Sequence, residues 1–241
     1  MVQFHPRADA AFVLSDVDRA LQAGVHAIEL DLRLRTSDGA VVCSHSARRL
    51  EDRPTLGDAT DRILRHQAGS GSVQRDGLQF FLVLDIKEHS PALYRGIVEA
   101  LRRYADHWST AAQPDGPPRG ITVVATGSAR GLADYAALTT LDSLCILEGQ
   151  DYRGRIRDLS PGGAAFQWVS IQHPGERGRV RALHQGIDLR HAGVFNVRTY
   201  DCHRGLAECV RSGVDAVNAD LEELPRAVEL ATQREANPSG N

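Results

Sequence analysis

The sequence predicts an α/β fold, a single distorted (β/α)8 TIM barrel, and three observations carry that prediction. Its 241 residues lie close to the roughly 250 typical of an eight-fold barrel. Apolar runs of strand length alternate with longer helical patterns nearly to the end of the chain, the order that calls for a mostly parallel sheet with helical crossovers. Acidic, basic and imidazole side chains fall at the C-terminal ends of several of these strands, where barrel active sites are built.

Strands are predicted near residues 2–5, 26–34, 40–45, 79–87, 120–126, 143–147, 166–172, 193–198 and 214–219, and helices over 12–23, 55–67, 90–107, 130–138, 177–190, 203–212 and 222–234. The first helix is marked by Ser15 followed by Asp16 and Asp18, and Gly24 ends it directly before a strand. The strands at 26–34 and 40–45 form a hairpin across "TSDGA", since Asp38-Gly39 favours a tight turn, and this hairpin interrupts the regular barrel count. "TLGD" from Thr55 opens the next helix. "SPALYRG" opens the one after it, with Ser90 as cap and Pro91 in the first helical position. Gly213 plays the part of Gly24 before the last strand. "AGSGSVQRDG" at 68–77, "TAAQPDGPPRG" at 110–120 and "DLSPGG" at 158–163 read as loops, and the tail "REANPSGN" over 234–241 as frayed. None of these divides the chain, so one domain over 1–241 is expected.

A balance of 28 basic against 31 acidic residues, net −3, recommends neither a nucleic acid nor an anionic membrane as partner, beyond peripheral contact at most. Small, locally bound ligands are favoured. Cys43, Cys145, Cys202 and Cys209 show no CxxC and no zinc spacing, so free, buried thiols are expected rather than a disulfide framework. No apolar run approaches the ~18 residues needed to span a bilayer, and residues 1–15 lack the order of a secretion signal. As it stands the chain reads as cytoplasmic, or as secreted if a signal was trimmed.

The chemistry collects on alternating strand positions. In "IELDLRLR", residues 28–35, Glu29, Asp31 and Arg33 fall on one side and Ile28, Leu30, Leu32 and Leu34 on the other. An edge strand would turn such a polar face to water. A barrel strand has no such face: the leucines pack on helices while Glu29 and Asp31 point inward, where unpaired charge is costly unless a cation compensates it. In "FFLVLDIKEHS", Phe81, Val83, Asp85 and Lys87 likewise share one face. His5 closes the first strand and His45 closes "AVVCSH". Either histidine alone reads as an ordinary surface residue; together with the acids and the lysine at other strand ends they read as a site. Glu29, Asp31 and Asp85 are hard oxygen ligands suited to one divalent cation, Mg²⁺ or Ca²⁺. The imidazoles suit acid and base roles, and Lys87 with the metal would neutralise a phosphate, so an anionic substrate is expected.

The order His5, "AGVHAIELDLRLRTSDGAVVCSHS", "LVLDIK" and "SGVDAVNADLEEL" resembles the phospholipase-C-like phosphodiesterase superfamily, which holds the glycerophosphodiester phosphodiesterases and the sphingomyelinase-D-like enzymes. The resemblance runs from residue 5 to about 226. It implies a β/α barrel with a divalent metal on Glu29, Asp31 and Asp85, acid/base catalysis by His5 and His45, Lys87 on the substrate phosphate, and a small phosphodiester or phospholipid substrate. The sequence departs from the glycerophosphodiesterase pattern at His5-Pro6-Arg7 and His45-Ser46, and Asp85 stands where Glu is common.

Further candidates are Arg198 and Asn196, which share a parity in "VFNVRTYD" and are expected to face inward, Arg198 onto a phosphate oxygen. Trp168 in "FQWVSIQH" is a candidate to stack on substrate, Asn218 and Asp220 to support the site, and "SARGL" at 128–132 to offer backbone N–H groups to phosphate. Three rival readings stand beside the phosphodiesterase. One is a phosphate- or phospholipid-binding pseudoenzyme; another is an aldolase-type barrel with Lys87 as Schiff-base amine. The third is a metal-independent lyase using an arginine in the metal's place. The mouth segments at 46–54, 127–131 and 150–165 carry no headgroup code, and oligomeric state is not legible.

Overall fold

The computed structural model describes residues 1–5, 12–70, 80–108, 121–127, 146–151, 166–172, 196–200, 202, 205–211 and 214–236. In chain order the elements are β1 (Val2–Phe4), α1 (Leu14–Gln22), β2 (Ala27–Leu34), β3 (Val41–Cys43), α2 (Leu56–Ser70), β4 (Phe80–Ile86), α3 (Pro91–Arg102) and β5 (Ile121–Gly127). They continue with β6 (Ile146–Asp151), β7 (Phe166–Gln172), β8 (Asn196–Tyr200), α4 (Leu206–Arg211), β9 (Ala216–Ala219) and α5 (Leu224–Ala236). The helices expected at 130–138 and 177–190, and the loops at 110–120 and 158–163, lie outside the described residues.

The sheet runs β1-β9-β8-β7-β6-β5-β4-β2, all parallel, and β1 also pairs with β2, so the ladder closes into the expected α/β barrel. β3 is not a stave. It lies antiparallel on the upper half of β2, Leu32 against Cys43, on the edge whose lower half (Ala27, Ile28) pairs with β1. The hairpin turn is the predicted one, with Gly39 at φ 75°, where a side chain would be strained.

Local signals behave largely as read. Ser90 Oγ accepts from the Leu93 N–H with Pro91 behind it, and Thr55 with Asp58 forms a reciprocal box at the start of α2. Several readings need correction. α2 runs on to Ser70 where a loop from 68 is expected, α3 stops at Arg102 rather than 107, and α5 carries the expected frayed tail as far as Ala236, with Arg234 Nη1 donating to Val210 O and Val214 O. α1 is capped from Val13, whose N–H donates to Asp16 Oδ2, so Ser15 lies inside the helix. β6 and β8 reach Asp151 and Tyr200, beyond the expected ends at 147 and 198, because their polar C-terminal residues stay in the ladder with β7. Cys202 and Cys209 are joined in a disulfide: seven residues apart, their Cα atoms come to 6.2 Å as the chain turns into α4. Cys43 is free and buried as expected.

The outward strand residues pack under the helices in one continuous apolar layer, including Ile28, Leu30, Leu32, Leu82, Leu84, Ile86, Val123 and Ala125. Among the described residues the apolar filling inside the barrel is Ala27, Val83 and Val124, with Met1 and Phe81 against them. No helix among the described residues is long and apolar enough to cross a membrane.

Candidate active site

The other inward side chains among the described residues are polar, and those toward the mouth form two tiers. In the deeper one, Glu29 on β2 is 3% exposed and its Oε2 accepts from Gln3 Nε2 on β1, from Arg198 Nη1 on β8 and, at 3.3 Å, from Asn218 Nδ2 on β9. Buried carboxylates are tolerated when paired and hydrogen-bonded in this way. Burial would raise the pKa of Glu29, but Arg198 and His5 outweigh it and keep the group ionised.

The upper tier lies toward the C-terminal ends of the strands. Asp31, two residues on, faces Asp85 in register across β2 and β4. Lys87 follows β4, its N–H held by Leu32 O, and its ammonium is 2.6 Å from Asp85 Oδ2 and 3.0 Å from Asp31 Oδ1. His45 Nδ1 lies 2.8 Å from Asp31 Oδ2, and His5 Nε2 lies 3.5 Å from Glu29 Oε1 and 3.6 Å from Asp31 Oδ1. Arg33, the third polar residue of "IELDLRLR", braces this tier from outside. Its Nε and Nη2 donate to His45 O at 3.0 and 2.8 Å, and its Nη1 reaches Glu88.

Each charge answers a neighbour. For Asp31, burial is overcome by the His45 and His5 hydrogen bonds and by Lys87, holding it well below the usual carboxylate range. Burial would lower His5, yet Glu29 and Asp31 push it up to about 8. Asp85 is lifted by burial and by Glu29, against the pull of Lys87. Lys87, despite burial, is raised by Asp85 and Asp31 and stays an ammonium.

Ligand atoms of His5, Glu29 and Asp31 lie within 4.8 Å of one another, a spacing a metal ion could bridge. Lys87 Nζ stands 3.0 Å from Asp31 Oδ1, and His5 Nε2 stands 3.6 Å from that atom and 3.5 Å from Glu29 Oε1, so these carboxylate oxygens already answer positive charge of the kind a cation would bring. The two carboxylates fit one, and a protonated His5 would stand beside it rather than on it. The carboxylate of Asp85 is engaged by Lys87, and it is not part of that three-residue group.

Thus His5, Glu29, Asp31, His45, Asp85 and Lys87 converge. Arg198, 2% exposed, converges beneath them on Glu29 and on Asn218 Oδ1, 3.2 Å away. Trp168 and Asn196 pair in register on β7 and β8, but their side chains, and all of "SARGL", lie outside the described residues. Gln3 was not among the sequence candidates. It shares the parity of His5 in "VQFH", which was the available signal.

No family model and no curated protein matches this chain. Solved structures do. A calcium-dependent phosphoinositol-specific phospholipase C from Pseudomonas sp. matches with TM-score 0.63 at 12% identity, over 94% of this chain and 89% of its own. A glycerophosphodiester phosphodiesterase from Agrobacterium tumefaciens matches with TM-score 0.52 at 19% identity, over 95% and 97%. Dihydrodipicolinate synthase from Rhodopseudomonas palustris also matches, with TM-score 0.52 at 11% identity, over 98% and 76%. At these identities the likeness establishes the barrel fold, not the chemistry.

Proposed function

We propose that the chain is a metal-dependent phosphodiesterase acting on a small phosphodiester or a phospholipid headgroup. The observation that carries this reading is the convergence, at the C-terminal mouth of one barrel, of two imidazoles, three carboxylates and a lysine ammonium. That two barrels of the same fold are, by name, a phospholipase C and a glycerophosphodiester phosphodiesterase supports it.

In this reading Glu29, Asp31 and Asp85 would hold the divalent cation, Mg²⁺ or Ca²⁺, which when bound would polarise a non-bridging phosphate oxygen. The rest is done by the chain. Asp31 holds His45 by Nδ1, which leaves Nε2 of a half-exposed ring to take the proton from the attacking oxygen. That oxygen belongs to water, giving hydrolysis, or to a neighbouring substrate hydroxyl, giving a cyclic phosphate. As its bond to phosphorus forms, the bond to the leaving oxygen breaks and His5, kept protonated by Glu29 and Asp31, supplies the proton the alkoxide needs. Lys87 offsets phosphate charge.

A Schiff-base role for Lys87 is disfavoured. Such an amine must be neutral to attack a carbonyl, and two carboxylates hold this one charged. A lyase using arginine in place of the metal is disfavoured as well, since Arg198 faces Glu29 beneath the mouth.

The test is turnover of a phosphodiester panel, from glycerophosphocholine and lysophospholipids to bis-(p-nitrophenyl) phosphate, in Mg²⁺, Ca²⁺ or EDTA, by wild type and Glu29→Ala. Metal-dependent turnover that the variant lacks is the expected result. Cation binding without turnover on any member would favour a binding module instead.

A further inference from the structure

Three side chains from three strands end on one atom. Gln3, Arg198 and Asn218 all donate to Glu29 Oε2, and Arg198 Nη1 also donates to Asn218 Oδ1, which braces the group across β8 and β9. All are nearly sealed from solvent: Gln3 is 0%, Arg198 2% and Asn218 5% exposed. The other oxygen of Glu29 is treated differently, since Oε1 faces His5 Nε2 in the upper tier.

We propose that Gln3, Arg198 and Asn218 are positioning residues that grip Glu29 by Oε2 and present Oε1 alone to the cation. Arg198 is the internal counter-charge of Glu29 and not a contact for the substrate phosphate. The inference rests on the reading that Glu29 binds a cation; it adds Gln3 and Arg198 to that task and gives Asn218, expected only to support the site, a specific partner atom.

Physical chemistry explains the choice of residue types. A ligand carboxylate free to swing binds a cation loosely, and donors on strands of one closed ladder fix both its plane and its depth. Arginine supplies a permanent charge on a planar fork, so one guanidinium can reach the carboxylate and the neighbouring amide together. Glutamine and asparagine add donors without adding charge, so the grip is strengthened while Oε1 keeps its negative character. None of the three lies at the mouth: Gln3 and Asn218 sit on β1 and β9 below His5, whose own N–H donates to Ala219 O.

Calorimetric titration with Mn²⁺ and thermal melting of wild type, Gln3→Leu, Asn218→Leu, Arg198→Met, Glu29→Gln and the double variant Glu29→Gln/Arg198→Met decide the matter. Gln3→Leu and Asn218→Leu are expected to fold and to bind Mn²⁺ about 10–100-fold more weakly, the usual cost of removing a group that orients a ligand. Arg198→Met is expected to melt far lower, and adding Glu29→Gln to restore most of the loss, because the stranded charge is then gone. On a turned-over substrate, kcat falls in the two leucine variants with KM unchanged.

Unchanged Mn²⁺ affinity in the leucine variants, or melting effects that simply add in the double variant, would overturn the proposal. So would an Arg198→Met enzyme with normal Mn²⁺ affinity and a raised KM, which would return Arg198 to the substrate. Wild type that takes no Mn²⁺ at all would sink the cation reading, and the positioning role with it, while the melting cycle would still report whether the Glu29–Arg198 pair is coupled.

Discussion

The two faces of the same strands are built to opposite rules. On β2 and β4, the outward residues Ile28, Leu30, Leu32, Leu82 and Leu84 are fully buried and apolar under the helices. One position along, the inward residues Glu29, Asp31 and Asp85 are also buried, though less completely, and all acidic. A barrel interior is normally packed with branched apolar side chains. Among the described residues that filling is Ala27, Val83 and Val124 near the floor, and Ser170 Oγ is buried without a hydrogen bond. The outer face stabilises the fold by area removed from water. The inner face spends part of that stability on holding charges in fixed positions, which is the behaviour of a functional site.

The contrast can be broken by variants that touch one face only. The largest effect is expected for His45→Ala. Its side chain is 41% exposed, so the melting point should hold while turnover drops by about 10²–10⁴, the usual worth of a positioned acid or base. Paired kcat and melting measurements check it, and a melting loss as large as that of a core variant would show that His45 supports the fold. Next is Leu84→Ala on the outer face, expected to cost about 2–5 kcal/mol in denaturant unfolding while the folded enzyme keeps its turnover. If that variant lost activity while staying folded, the faces would not be separable.

The same contrast decides what was legible in the sequence. Alternation in "IELDLRLR" and "FFLVLDIK" is a local, period-two signal, so Glu29, Asp31, Asp85 and the strands that bear them could be read directly. The ends of β6 and β8 could not, because Gln150, Asp151, Thr199 and Tyr200 carry no apolar alternation and are held in the sheet by pairing with a neighbouring strand. Arg198 was read as inward correctly from parity. That it meets Glu29, 169 positions earlier in the chain, depends on barrel closure, which no local pattern encodes. The bond between Cys202 and Cys209 escaped for a related reason: spacing alone does not say that a turn into a short helix brings the two Cα atoms together.

A smaller effect probes the competition inside the upper tier. Lys87 stands between Asp31 and Asp85, and a unit charge ~4 Å from a divalent ion is worth about 8 kcal/mol at an effective dielectric of ~20 before solvent relaxes. Lys87→Met should therefore tighten Mn²⁺ binding, by on the order of tenfold or more once water has relaxed into the space. It should also raise KM for an anionic substrate. Weaker Mn²⁺ binding in that variant would mean that the ammonium organises the carboxylates more than it repels the cation.

The smallest effect concerns the proton on His5, which joins the two tiers. Its folded-state pKa is pushed up to about 8, whereas an unfolded histidine titrates near ~6.5. The folded state thus binds the proton more tightly, so the stabilisation is fully present below about 6.5 and is lost as pH rises through about 8. In EDTA, the melting temperature of wild type should fall across that window relative to His5→Gln, because every other titrating group is common to both proteins and cancels in the difference. Parallel curves would mean that the imidazole feels Glu29 and Asp31 no more than it feels water. The 3.5 and 3.6 Å approaches would then be proximity without coupling, and the deep carboxylate would have no electrostatic route to the acid at the mouth.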